Sequence, residues 1–399
     1  MKNINEIIAK DNKWFKKSQE IKDEIINYRR TLHQIPELSF KEEKTSREIK
    51  GYLDSMGIDY KSCADTGIVA LIEGKKPGPV IAIRADMDGM PASEATDHSY
   101  KSGHEDVMHS CGHDGHMAAV LGAAKLLEEN KDKWNGTVKL IFQPAEELVQ
   151  GAKRMIKEGV LESPRPDYVL GFHIWQPLQT GEVGIKKEEL MASTENFKII
   201  IHGLESHGAM PHQGIDAISA AAEFIQGIHH ILSRVISAEE SYVLSFGKIV
   251  GGTKGNVLPS KVELDGTFRT FEERTANLIK EKIYSLLDNK KDLYGTKWEY
   301  ILESNASPTY NDPSLTEYVL DSMKKILPED SIQFPYGPVF PSEDFSEYAK
   351  YVPAALFFLG AGSDEYKYPH HHPKFDFDER ALIIAASIIL QTVEDLSNS

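Results

Sequence analysis

Strand and helix signals alternate along this chain, give way near Gly184 to a different order, and then resume, which restricts the fold more than any other feature. Val69–Ile72 and Val80–Ile83 read as strands. A helix is predicted after Cys111, because Met117, Val120, Leu121, Ala124 and Leu127 recur at the spacing of one helix face. Val138–Phe142 reads as a strand, Ala152–Glu158 as a helix and Tyr168–Phe172 as a strand, so helices are expected to cover a mostly parallel sheet in an α/β domain. Beyond Gly184 the expected elements are strand Phe197–Ile201, helix Ile215–Ile231, strands Tyr242–Val250 and Val262–Phe268, helix Glu272–Leu287 and strand Trp298–Leu302. That βαββαβ order predicts a ferredoxin-like α+β unit. Helix Ser314–Ile326, strand Ala354–Leu359 and helix Ala381–Val393 return to α/β character. The expectation is one domain made of residues 1–186 and 306–399, interrupted by an inserted domain over 187–305. Asn3–Glu24 is predicted as a charged amphipathic helix.

The chain has 399 residues, enough for two cores. Its 61 acidic against 45 basic residues give a net charge of −16, which argues against nucleic acid or an anionic membrane as partner. No charged-then-apolar leader is read at Met1, and no apolar run is long enough to span a bilayer. With only Cys63 and Cys111, no disulfide framework is expected, and a reducing cytoplasm suits a Cys111 that must stay a free thiolate.

Chemistry concentrates in Cys111-Gly112-His113-Asp114-Gly115-His116, where a thiol, two imidazoles and a carboxylate flank two glycines. Cys and His are strong ligands for zinc-like ions, and both lose a proton to bind. A buried cysteine is otherwise a small apolar filler, so the cluster gains weight from its surroundings. In open α/β sheets ligands bind beyond the carboxyl ends of the strands. Val80–Ile83 leads there into Arg84-Ala85-Asp86-Met87-Asp88, Val138–Phe142 into Gln143-Pro144-Ala145-Glu146-Glu147, and Tyr168–Phe172 into His173. Most adjacent acids line a wet face. A pair on this rim allows one carboxylate to ligate metal while the other takes a proton from water.

These residues resemble the metal-dependent amidohydrolases that include hippurate hydrolases, bacterial N-acyl-amino-acid deacylases and plant auxin-conjugate hydrolases, within the clan of aminoacylases and metallo-carboxypeptidases. The resemblance runs from Leu32-His33-Gln34-Ile35-Pro36-Glu37 through the three segments above and Gly171-Phe172-His173. It continues with His207-Gly208-Ala209-Met210-Pro211-His212, Gly255-Asn256-Val257-Leu258-Pro259 and Gly266-Thr267-Phe268-Arg269. Ser342-Glu343-Asp344-Phe345 and His371, before Pro373-Lys374-Phe375-Asp376-Phe377, complete it. It implies that Cys111, His113, Glu147, His173 and His371 bind metal and that Glu146 is the general acid/base. Many clan relatives carry a His-x-Asp ligand motif where this chain has Arg84-Ala85-Asp86. Asp86 then either orients a ligand or serves a structural turn. Of His370-His371-His372, the resemblance selects His371, and the other two are expected to be surface imidazoles. It further implies that His207 stabilises the oxyanion and that Asn256 and Arg269 contact the substrate carboxylate, although Arg269 also reads as a sheet-edge charge.

The function so implied is hydrolysis of N-acyl (N-acetyl) amino acids to a carboxylic acid and an L-amino acid, using two divalent ions per subunit, Zn or Mn, with Co or Ni as alternatives. The inserted domain would be a lid and dimerisation domain in a cytoplasmic homodimer or higher oligomer. A metallo-carboxypeptidase or dipeptidase acting on short peptides or aryl-amide amino acids is the rival within enzymes. A catalytically silent ligand-binding relative is the rival of another class.

Overall fold

The structure is a computed structural model that describes residues 11–398. It divides into two compact units. The larger comprises Met1–Leu190, Thr309–Pro338 and Asp344–Ser399, and the smaller comprises Met191–Pro308 with Val339–Glu343. Among the described residues no helix is long and apolar enough to cross a membrane.

An eight-stranded sheet runs through the larger unit. Its spatial order is Tyr60–Cys63, Gly67–Glu73, Thr137–Gln143, Val80–Asp86, Tyr168–Gln179, Ala354–Gly362, Val183–Gly184 and Ile332–Gln333. The four middle strands, Thr137–Gln143 to Ala354–Gly362, pair in parallel, as the strand and helix alternation predicts. Their side chains are buried almost without interruption, the pattern of strands covered on both faces. Antiparallel pairings at either side make the sheet mixed. Two nearly all-buried helices, His113–Glu129 and Ala381–Ser397, pack on one another and lie at the centre of the core.

The smaller unit carries a four-stranded antiparallel sheet in the order Tyr242–Gly251, Lys261–Thr270, Thr194–His202, Lys297–Ala306. Helices Ala217–Val235 and Glu273–Tyr294 bury Phe224, Ile228, Ile279 and Ile283 against Phe197, Ile199, Val262 and Leu264. In chain order this is the expected βαββαβ unit with strand order 4-1-3-2.

Two expectations need correction. Within the described part of Asn3–Glu24 there is no single helix: Lys13–Glu20 ends, and Lys22–His33 starts after Ile21. Asn3 to Lys10 lie outside the described residues. The strand expected to stop at Phe172 runs to Gln179, because Ile174, Trp175 and Leu178 are buried alongside Ala354–Gly362. His173 therefore sits inside a strand, opposite Phe358, rather than in a loop after it.

Candidate metal centre

Gly112 has φ +93°, a left-handed conformation that lets the chain turn directly into helix His113–Glu129. Gly115 serves close approach instead, since a Cβ there would lie 2.4 Å from Ile174 Cδ1 and 2.6 Å from Phe377 Cζ. The two glycines together seat the start of this helix against the strand that carries His173.

Ligand-type atoms converge at that point. Cys111 Sγ lies 3.6 Å from His173 Nε2. The ligand atoms of Cys111, His113 and His173 lie within 4.8 Å of one another, as do those of Cys111, Glu147 and His371, and those of His113, Glu146 and Glu147. Glu147 Oε1 is 4.0 Å from His113 Nε2 and 3.7 Å from His371 Nε2. His113 Nε2 and Glu147 Oε1 are both buried without a hydrogen-bond partner. What sets these two apart is their place: they face each other across a thiol and further imidazoles, an arrangement that fits a cation between them. His371 completes the group from a backbone with φ +66°, held by its own N–H on Ser110 O at 2.8 Å, and its side chain is half exposed.

Electrostatics agree with this fit. Burial alone would lower the His113 imidazole, but the Asp86, Asp88 and Glu147 carboxylates prevail and push it up to about 10. Burial pushes Glu147 up to about 7, against the pull of His113 and with Asp88 and Asp86 adding to the rise. A concentration of buried negative charge that draws a proton to His113 will equally draw a metal ion in its place. Burial holds His173 well below its ordinary value, in the neutral form that binds metal.

The second nitrogen is anchored in two of the candidate ligand histidines, His113 and His173. His113 Nδ1 donates to Asp88 O at 2.9 Å and His173 Nδ1 to Ile174 O at 2.6 Å, so each ring presents Nε2 to the centre. Asp86, at the end of its strand, faces Arg84 Nη1 at 2.6 Å and His116 Nδ1 at 2.6 Å. Burial would raise its pKa, but Arg84, His113 and His116 hold it well below the usual carboxylate range. His116 Nε2 in turn accepts from Ile174 N at 2.9 Å. Both its nitrogens are therefore engaged, and the second imidazole of the Cys111–His116 cluster supports the site instead of binding at it.

Two supporting residues went unread in the sequence. Asp88 is buried; its Oδ1 accepts from Glu146 N and its Oδ2 from Glu147 N, both at 3.1 Å, while Ser39 Oγ donates to Oδ2 at 2.6 Å. The available signal was a second acid two residues beyond Asp86 on the same rim. His370 and His372 were expected to be surface imidazoles; His372 stays partly exposed, and His370 does not fit the expectation. His370 donates from Nε2 to Ile174 O at 2.8 Å and packs between Trp175 and Phe375. His372 stacks on Tyr368 at 4.6 Å.

The other predicted site residues lie in the smaller unit. His207 and Asn256 come together in one small loop sheet, where His207 pairs with Val257 and Gly208 N donates to Asn256 O at 2.8 Å. The exposed His207 ring accepts at Nδ1 from Ala209 N, 3.1 Å away. Arg269 donates to Ser342 Oγ at 3.0 Å and to Phe340 O at 3.4 Å.

The chain is similar to known proteins over most of its length. The profile of Peptidase family M20/M25/M40 matches residues 82–395. The chain is 37% identical to the N-acetyl-L-cysteine deacetylase of Bacillus subtilis (strain 168) over 380 residues, 95% of this chain and 89% of that protein. It is 38% identical to thermostable carboxypeptidase 1 of Saccharolobus solfataricus over 375 residues, 92% of this chain and 94% of that one. A crystal structure from Bacillus subtilis, described as a dinuclear metal binding peptidase from the M20 family, superposes with a TM-score of 0.82 at 31% identity, covering 95% of this chain and 99% of that one. With its convergent thiol, imidazole and carboxylate groups, the chain belongs to peptidase family M20/M25/M40 and is a metal-dependent amidohydrolase.

Proposed function

We propose that this enzyme cleaves N-acyl, and specifically N-acetyl, L-amino acids into a carboxylic acid and a free amino acid. The observation that carries the reading is the division of the Glu146-Glu147 pair, whose neighbouring amides hang from one carboxylate, Asp88, while Glu147 points an unpaired oxygen at His113. The overall likeness to an N-acetyl-L-cysteine deacetylase supports the substrate class.

Cys111, His113, Glu147, His173 and His371 would hold the metal, and Asp86 and Asp88 would keep the holders in place. Two ligand groups that share Cys111 support a pair of ions, and thiolate with imidazole suits zinc, with manganese, cobalt or nickel as alternatives. When bound, the metal supplies a Lewis acid for the amide carbonyl and lowers the pKa of water from about 16 towards about 7. Glu146 takes the proton from the attacking water and hands it to the departing amine. His207 donates to the developing oxyanion, and Asn256 and the planar Arg269 fork bind the substrate carboxylate. In this reading residues 1–186 and 306–399 form the catalytic domain, and 187–305 form the lid and dimerisation domain of a cytoplasmic homodimer that engages neither nucleic acid nor membrane.

A carboxypeptidase or dipeptidase acting on short peptides is the second reading, supported by the 38% identity to a carboxypeptidase. Amine release from N-acetyl and N-benzoyl amino acids and from dipeptides, with metal analysis alongside, separates the two. Glu146→Gln should keep its metal and lose about 10²–10⁴-fold in kcat, since an amide cannot take the proton. A variant with more than half the native rate would remove Glu146 from its role. Metal-loaded protein inert on every substrate would favour a silent binding relative.

A further inference from the structure

Three consecutive amides carry the Glu146-Glu147 pair, and Asp88 accounts for two of them. The third, Ala145 N, donates to Glu42 Oε1 at 3.0 Å. Glu42 is fully buried, and its carboxylate is shared by three parts of the chain. Oε1 also accepts from Phe40 N at 2.9 Å, just ahead of helix Glu43–Met56, and Oε2 accepts from Thr66 Oγ1 at 2.6 Å, in the turn between strands Tyr60–Cys63 and Gly67–Glu73.

Ala145 itself has φ +53°, a region that a residue with a Cβ rarely occupies unless its surroundings hold it there. The loop after it closes tightly. Gly151 N donates back to Ala145 O at 3.1 Å, and a Cβ on Gly151 would lie 1.6 Å from Pro144 O. Little slack is left in this turn, so a rotation at Ala145 swings both glutamates off the ligand group. We infer that Glu42 is a positioning residue for the reaction: by accepting from Ala145 N it keeps Ala145 left-handed and sets the direction in which Glu146 and Glu147 leave strand Thr137–Gln143.

This inference rests on the roles given to Glu146 and Glu147 under the proposed function. Its test compares two conservative variants of the full-length, metal-loaded enzyme. In Glu42→Gln the side chain keeps its length, so Oε1 still accepts from Ala145 and Phe40 while Nε2 donates to Thr66. Glu42→Asp keeps the charge and loses the reach. Glu42→Asp should lower kcat by about 10²-fold, the order of loss for a catalytic group misplaced by about 1 Å. KM should stay within about threefold, and Glu42→Gln should stay within about threefold of the native enzyme in both constants.

A direct structural readout accompanies the rates. Hydrogen exchange at the amides of Ala145, Glu146 and Glu147 should accelerate in Glu42→Asp and not in Glu42→Gln. Metal lost from the Asp variant alone would count in favour too, because Glu147 hangs from the same turn. Native exchange and native kcat in Glu42→Asp, or equal damage in both variants, would overturn the inference. An active Glu146→Gln enzyme would instead remove the base while leaving the exchange result to judge Glu42 separately.

Discussion

Raising the pH should weaken the larger unit, and His33 sets both the window and the size of the effect. Its ring is buried with a carboxylate at each nitrogen, Asp114 Oδ2 2.8 Å from Nδ1 and Glu94 Oε2 3.3 Å from Nε2. Burial alone would lower its pKa; Asp114 and Glu94 overcome that and raise it to about 9. An unfolded histidine titrates near 6.5, and each unit of difference is worth about 1.36 kcal/mol, so the charged ring contributes about 3 kcal/mol. Because the folded value is the raised one, the contribution is complete below about pH 6.5 and is lost as the pH climbs through about 9. The measurement is the urea unfolding free energy at about pH 6 and about pH 9.5, followed by tryptophan fluorescence, for native protein and His33→Gln. Trp14, Trp134 and Trp175 all report on the larger unit. Taking the difference between the two proteins removes His113 and Glu147, which titrate across the same range in both. Native protein should exceed the variant by about 3 kcal/mol at the lower pH, and most of that margin should vanish at the higher. An equal margin at both pH values would mean that His33 is neutral in the fold and that the reasoning fails.

Cys111→Ser should lower metal content and activity together, because a hydroxyl seldom deprotonates to bind near neutral pH. A chelator should reproduce the loss in native protein, and full activity in verified metal-free enzyme would defeat the metal reading. His207→Ala should reduce kcat far more than it changes KM, since the charge it meets develops only in the transition state, whereas Arg269→Ala should chiefly raise KM. The reverse pattern in steady-state kinetics would exchange the two roles. If His207 acts across a subunit boundary, mixing Glu146→Gln with His207→Ala should restore activity once subunits exchange.

Much of the larger sheet and the βαββαβ unit could be read from periodicity, because buried parallel strands and amphipathic helices leave regular apolar patterns. Cys111, His113, Glu146, Glu147, His173 and His371, which the resemblance implied as site residues, choosing His371 among three neighbouring histidines, lie together in the structure. What stayed hidden depended on partners distant in sequence. His116 looks like a ligand until Asp86 and Ile174 N are found on its two nitrogens. His370 looks like surface until Trp175 and Phe375 close around it. Glu42 lies 103 residues before the amide it holds, and nothing local marks it. The extension of the strand past His173 was missed for the same reason, as Gln176 and Pro177 interrupt its apolar run while its pairing comes from Ala354–Gly362.

The placement of Ala354–Gly362 beside Tyr168–Gln179 bears on how the protein is made. The ribosome must insert the whole of Met191–Pro308 between these two neighbours, a stretch that makes up most of the smaller compact unit. At 5–20 residues per second the earlier strand waits about 10–35 s for its partner. Throughout that interval a long apolar edge, one that in the finished sheet is paired and covered, faces water in a growing chain. His371 emerges later still, so the nascent protein cannot assemble its full ligand set early. Protection of that waiting edge by chaperones, more than the stability of the finished fold, would then set the yield of active enzyme.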